Sequence, residues 1–221
     1  METTSQLGLQ ITTEDTLGVD HPNDTIVAYG ENFKKLEDSI ASSASGTTGL
    51  ETGREYEQGH IIWNSKPTAG GYVGWVNVRT GIHANPKKTN TDYQNGDIVS
   101  SPNDTGFYYK CIRPGTTPNL AQQNMGASVE KFDEVSTSKR WGANHTYTVN
   151  EVILATSHDT TYYLMCTIAG TSGATEPTWT NHANGQTITD GTVTWKKLGN
   201  IRWERMSANT RFMVFGKIGE S

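Results

Sequence analysis

A stretch of this chain repeats itself after 55 residues without a gap. Asn95-Gly-Asp-Ile-Val lies over Asn150-Glu-Val-Ile-Leu, Ile98 over Ile153, and Asp104-Thr105 over Asp159-Thr160. Tyr108 then meets Tyr163, Cys111 meets Cys166, and Gly115-Thr116 meets Gly170-Thr171. Self-similarity at a fixed spacing marks one supersecondary unit used more than once. A weaker third copy lies upstream, where Gly59-His-Ile-Ile-Trp63 resembles the opening strand and Tyr72-Val-Gly-Trp-Val-Asn-Val-Arg-Thr-Gly81 the return strand with its closing Gly. Each copy reads as strand, polar turn, strand and a Gly-centred exit. In the last copy Ile153, Tyr163, Met165 and Thr167 keep period-2 spacing, and a further strand follows the turn Asp190-Gly191 as Thr192-Val-Thr-Trp195.

Composition fits small units of this kind. Hydrophobic residues make up 33% of the 221 and charged residues 19%, so the polarity comes from Thr, Ser, Asn and 23 Gly. That mixture predicts exposed sheet and many turns in place of one thick core. A unit of about 55 residues sits near the lower limit for independent folding, so copies or subunits must pack together. The fold class is therefore mainly β: tandem small antiparallel modules, with one N-terminal helix, assembled as a trimer. The boundaries read as 1–48 for an attachment segment, 49–90, 91–140 and 141–200 for three β units, and 201–221 for a C-terminal strand segment.

The attachment segment differs from the rest. Residues 1–48 carry eight acids and two lysines, a net of −6, whereas 49–200 sum to −1 and 201–221 to +2. An acidic head on a near-neutral body fits docking onto a neighbour, or a solvated acidic surface. The best helix pattern spans about 24–43, where Tyr29, Phe33, Leu36 and Ile40 form a narrow apolar seam. Asp24 or Thr25 can cap it, and Ser42-Ser-Ala-Ser-Gly46 ends it. The seam is too short for an isolated coiled coil, so it packs on its own subunit or, in the preferred reading, around an oligomer axis or on a partner. At the other end, Arg211-Phe-Met-Val-Phe-Gly-Lys-Ile218 is the most apolar stretch and reads as a strand that needs a sheet to join.

Several function classes are disfavoured. A formal charge of −5 argues against coating nucleic acid. No stretch approaches the ~20 apolar residues of a membrane helix, and the first residues have neither the basic start nor the apolar run of a signal peptide. His21, His60, His83, His145, His158 and His182 lack the spacing of a helical metal site, so neither a metal nor a cofactor is expected. Asp97, Asp104, Asp159 and Asp190 sit beside Gly, Asn or Thr, where carboxylates close turns; a glycosidase would need two carboxylates held across a cleft. Neither a Gly-x-Ser-x-Gly elbow nor a phosphate loop is present. The chain reads as noncatalytic. Cys111 and Cys166, at equivalent places in separate cores, read as reduced, buried hydrophobes.

Six Trp and nine Tyr are the stronger clue. Trp63, Trp75 and Trp195 alternate with apolar neighbours and read as buried, whereas Trp141 and Trp179 lie at module edges. Those edge rings suit either stacking on saccharides or contacts between modules and subunits.

The last unit resembles the small carbohydrate-binding modules attached to chitinases and cellulases. The resemblance rests on Trp141-x5-Tyr147, Glu151-Val-Ile, Tyr162-Tyr-Leu-Met-Cys166, Gly170-Thr-Ser-Gly and Glu176-Pro-Thr-Trp179. It implies an exposed stacking platform at Trp141, Tyr147 and Trp179. Glu151 stands where that family usually has Gly, and the unit at 91–135 lacks the matching tryptophans. Two further stretches resemble bacteriophage tail-fibre and tailspike proteins: Ile62-Trp-Asn-Ser-Lys-Pro-Thr-Ala-Gly-Gly-Tyr-Val-Gly-Trp-Val-Asn-Val78, and Glu176-Pro-Thr-Trp179 followed by Asp190-Gly-Thr-Val-Thr-Trp195. The acidic start, with Gly8-Leu-Gln and Asn32-Phe-x-x-Leu-x-Asp38, resembles the attachment ends of phage fibres. These resemblances imply a virion appendage of tail, baseplate or head, built in the host cytoplasm. It would be homotrimeric, bound to other virion proteins through residues 1–48 and directed at host cell-surface polysaccharide. The alternative they imply is an accessory carbohydrate-binding module of a polysaccharide-degrading system.

Overall fold

The computed structural model describes residues 2–3, 10–11, 50–119, 125, 128–137 and 139–219. It is mainly β, and the only helical turn among the described residues is a 3-10 turn at Trp179–Asn181. The expected helix at 24–43, with its seam residues Tyr29, Phe33, Leu36 and Ile40, lies outside the described residues.

Two short strands, β1 (Glu2–Thr3) and β2 (Gln10–Ile11), pair antiparallel near the start. The outer module then supplies β3 (Glu55–Tyr56), β4 (Ile61–Trp63), β5 (Tyr72–Asn77) and β6 (Gly81–Ile82). The middle module follows with β7 (Asp92–Tyr93), β8 (Ile98–Ser100), β9 (Phe107–Arg113), β10 (Gly115–Thr116) and β11 (Lys131–Asp133). The inner module holds β12 (Thr146–Tyr147), β13 (Val152–Ile153), β14 (Tyr162–Ile168), β15 (Gly170–Thr171), β16 (Thr187–Asp190) and β17 (Val193–Gly199). Two strands remain, β18 (Arg202–Ala208) and β19 (Phe212–Lys217).

Those last strands make the modules nested in the chain instead of consecutive. The inner sheet runs β13-β14-β17-β16 and closes on itself. The middle sheet has the same order, β8-β9-β18-β11, but its third strand comes from beyond the inner module. The outer sheet runs β4-β5-β19, closed by the last strand of all. The segment at 201–221 is thus two return strands belonging to two different modules. By compactness the chain divides into Ile82–Asn209, holding the middle and inner modules, and the residues on either side of it.

The three modules share one set of fixtures. In each, a Tyr hydroxyl accepts the backbone N–H five residues earlier: Tyr56 from Glu51, Tyr93 from Lys88 and Tyr147 from Gly142, at 3.1, 2.9 and 2.7 Å. The turn after each Tyr needs one left-handed residue, supplied by Gly59, Gly96 and Asn150, with φ of 90°, 98° and 68°. Their N–H groups donate to the carbonyls of Asn77, Cys111 and Cys166, each at 2.8 Å. Asn77 therefore occupies in the outer module the place that the two cysteines hold in the others, and all three are fully buried. Opposite them on the return strands stand Phe212, Trp203 and Trp195. Each of these rings meets its module's Tyr edge to face, at 6.0, 5.3 and 4.7 Å.

β9 and β14, and β10 and β15, keep the 55-residue offset. In the turn the structural equivalence is one residue shorter, with Gly96 matching Asn150 and not Glu151, as the shared hydrogen bonds show. Gly115 and Gly170 are fixed by the return strands. A Cβ on Gly115 would lie 2.3 Å from the Gly199 carbonyl oxygen, and one on Gly170 2.4 Å from that of Thr192. Backbone passes where a side chain would stand.

The inner core gathers Tyr147, Ile153, Leu164, Cys166, Trp179, Ile188, Val193 and Trp195. The middle core gathers Tyr93, Val99, Tyr109, Cys111, Met125, Ile201 and Trp203. A third cluster of Val135, Val152, Leu154, Tyr163 and Leu198 joins the middle and inner modules. There the Tyr163 hydroxyl donates to the Thr116 carbonyl at 3.0 Å, and burial pushes that hydroxyl's pKa well above its ordinary value. Asn200, fully buried, bonds the backbone of Val135 in both directions and donates to the Thr160 carbonyl. Cys111 and Cys166 are free thiols in their two separate cores, and burial raises both pKa values.

Candidate functional site

The three aromatics expected to form a stacking platform do not lie together on an open face. Tyr147 is 2% exposed and Trp179 4% exposed, both in the inner core. Trp141 packs half-buried against that core, and its indole N–H donates to Asp190 at 2.7 Å. The Trp179 N–H is taken by Glu176 at 2.8 Å. Lys197 sets the Trp179 turn: its Nζ donates to the carbonyls of Trp179 and His182 and lies 4.4 Å from the Tyr162 ring centre. A place at a module's edge in the sequence is not a place at its surface. The return of β17 beside β14 is what covers these rings.

The carboxylates behave as turn and core fixtures. Asp97 accepts the Gln94 N–H, Asp104 that of Gly106 and Asp159 that of Thr161. Asp190 does more, since its two oxygens take the Gly173 N–H and the indoles of Trp141 and Trp195. Glu134 is its counterpart in the middle module: buried, it accepts the Trp203 indole at 2.7 Å and pairs with Lys87 at 2.6 Å. A buried carboxylate is tolerated only with such partners. No group of three or more His, Cys, Asp or Glu able to hold a metal occurs among the described residues.

The aromatic surface lies in the outer module. Register places Ile61, Trp63, Gly74, Val76, Met213 and Phe215 on one face of β4-β5-β19, with Tyr72 two residues along from Gly74 on the same side. Trp63 and Tyr72 are each 40% exposed. Gly74 stands between Trp63 and Phe215, where an added Cβ would press on the Phe215 ring at 3.0 Å, and the Trp63 and Phe215 rings meet edge to face at 5.7 Å. Polar groups border the face: the Asn64 side chain donates to the Tyr72 carbonyl and accepts the Lys66 N–H. Such a surface pairs flat apolar rings with hydrogen-bonding groups. Trp63 was expected in the core and is not; Ile62, its neighbour on the opposite face, is buried instead. Trp75 is half-buried and Trp195 fully buried. The signal that could have placed Trp63 outside is Gly74, since a bare cross-strand position gives a core nothing to pack.

A second feature is a groove of about 420 Å³ within Ile82–Asn209, lined by Asn90, Asp92, Thr116, Asn184, Gly185, Lys196 and Leu198. It carries amide, hydroxyl, carboxylate and ammonium groups but no ring. Comparison with protein-family models, with curated proteins and with solved structures finds no match to this chain.

Proposed function

We propose that this protein is a noncatalytic structural or receptor-binding component of a bacteriophage particle, in a tail, baseplate or head fibre. In this reading it is a homotrimer, held to other virion proteins through residues 1–48, and it displays β modules toward host-surface glycans. The observation that carries the reading is the face of Trp63 and Tyr72. It is the one large aromatic surface left open among the described residues, and it is built on the Gly-Gly-x-x-Gly-Trp hairpin that resembles phage fibre sequences. Sugar rings present C–H faces that stack on such rings while their hydroxyls meet the polar border. In the other two modules the indole N–H groups of Trp141, Trp179, Trp195 and Trp203 are each taken by a carboxylate of the same unit.

Replacing both Trp63 and Tyr72 by Ala should abolish pull-down by host-surface polysaccharide while leaving the melting curve nearly unchanged. Retention of binding by that variant would remove the site. Immunogold labelling of purified particles tests the setting. Label on an appendage supports the virion reading, and unlabelled particles with the protein free in the medium favour the accessory module of a polysaccharide-degrading system.

A further inference from the structure

The closing strands β17 and β18 each have a neighbour on both sides, β14 and β16 for the first and β9 and β11 for the second. The third closing strand, β19, has β5 on one side and, among the described residues, no strand on the other. Among the described residues the outer module is thus a copy of the same sheet without its fourth strand. The Val78 N–H donates to the Arg211 carbonyl, so alternation turns the N–H and C=O of Val214 toward that open edge. Met213 and Val214 are 48% and 45% exposed; the strand holds no Pro, and its irregularity at Gly216, left-handed at φ 63°, lies beyond Val214. Natural proteins seldom leave such an edge uncovered.

The chemistry of the missing strand can be read from the other two. Trp195 and Trp203 each need an acid from the fourth strand or just beyond it, Asp190 and Glu134 respectively. The equivalent ring in the outer module is Phe212, which has no N–H to satisfy. A strand from elsewhere can fill the place without a matching buried carboxylate. Two β19 strands centred on Val214 would oppose Arg211 and Lys217 at both ends, setting like charges face to face. The fitting occupant is acidic, with apolar residues at alternate positions. Residues 1–48 carry net −6, and their Leu7-Gly8-Leu9-Gln10-Ile11 alternation runs into Glu14-Asp15.

We propose that a strand from residues 1–48 of a second copy pairs with the outer edge of β19, completing the outer sheet by β-augmentation. The contact is heterologous, joining the head of one copy to the tail of the next, and such contacts close into a ring when the rotation allows. This deepens the trimer of the proposed function and rests on it. Full-length protein and its Val214→Lys and Val214→Pro variants should be compared by light scattering, with circular dichroism to check folding. The expected result is a trimeric mass for the wild type and a monomeric mass for both folded variants. Folded variants that stay trimeric overturn the strand contact and leave the trimer standing; a monomeric wild type at micromolar concentration overturns both. The occupant is read separately, by placing a photo-crosslinking residue at Met213 in a mixture of isotope-labelled and unlabelled wild-type chains. A crosslink between copies into residues 1–48 supports the proposal. Crosslinks confined to one copy, or made to the 211–218 segment of another, overturn it.

Discussion

Tyr147 in the inner module and Tyr56 in the outer one hold the same corner, with the same hydrogen bond to the residue five places earlier. Tyr147 belongs to a core of ten buried residues; in the outer module only Tyr56 and Ile62 are buried hydrophobics among the described residues. At about 1.5–3 kcal/mol per fully buried apolar side chain, the inner core outweighs the outer one several-fold. The hairpin geometry is therefore set by backbone and turn chemistry, which both share. Among the described residues the fourth strand occurs in the inner and middle modules alone, and the cluster of Val135, Val152, Leu154, Tyr163 and Leu198 adds to their stability. A thick core leaves no aromatic over for binding, and a thin one presents Trp63 and Tyr72 to solvent.

The largest expected effect is on the inner side of that comparison. Trp195→Ala should destabilise Ile82–Asn209 by about 3–5 kcal/mol, because it opens a cavity in the inner core and removes one of the three N–H groups that Asp190 accepts. Phe212→Ala, at the equivalent outer position, should cost well under half as much. Urea unfolding of both variants, followed by the remaining tryptophans, checks this, and equal losses would erase the distinction between modules.

Next in size are the glycines. Gly170→Ala places a methyl against the Thr192 carbonyl and should cost about 1–3 kcal/mol or more. Gly59→Ala meets nothing within 4 Å and bears only the left-handed backbone penalty of about 1–2 kcal/mol. A chemical melt that ranks them in the opposite order would contradict the close strand passage inferred at Gly170. Smaller again in stability terms is Trp63→Ala alone, at under about 1 kcal/mol for a half-exposed ring. Both cysteines, by contrast with any exposed thiol, should resist alkylation in the native protein and react together on unfolding, with no linked peptide in the mass spectrum.

The smallest expected effect is on acid stability. Two bonds from Thr161, one through its hydroxyl and one through its N–H, hold the Asp159 carboxyl below its ordinary pKa. A depressed folded pKa gives stability that is complete above the unfolded value of about 4 and is lost as pH falls through the folded one. Thr161→Val should therefore narrow the difference between unfolding free energies at pH 6 and pH 3. An unchanged difference would show that Asp159 contributes nothing to it.

The repeat, the reduced cysteines, the turn carboxylates and most strands were legible in the sequence, because they depend on local pattern. Nesting was not, since pairing of β18 with β9 and of β19 with β5 joins residues about a hundred or more apart along the chain. A trace of it was present. Ile201-Arg-Trp203 repeats Val193-Thr-Trp195 eight residues on, two closing strands in succession for two modules opened in turn. Exposure was the other failure: alternation identifies two faces of a strand but not which is covered. So Trp63, which reads as buried, lies in the open, while Tyr147 and Trp179, which the resemblance puts on an exposed platform, lie in the core.

Native-state hydrogen exchange on the intact chain tests the nesting most directly. The account predicts that amides of Arg202–Ala208 exchange with those of Phe107–Arg113 at one free energy, and that Phe212–Lys217 exchange with Tyr72–Asn77 at a lower one. Protection that instead treats 202–217 as a single group, opening together and independently of both partners, would contradict it.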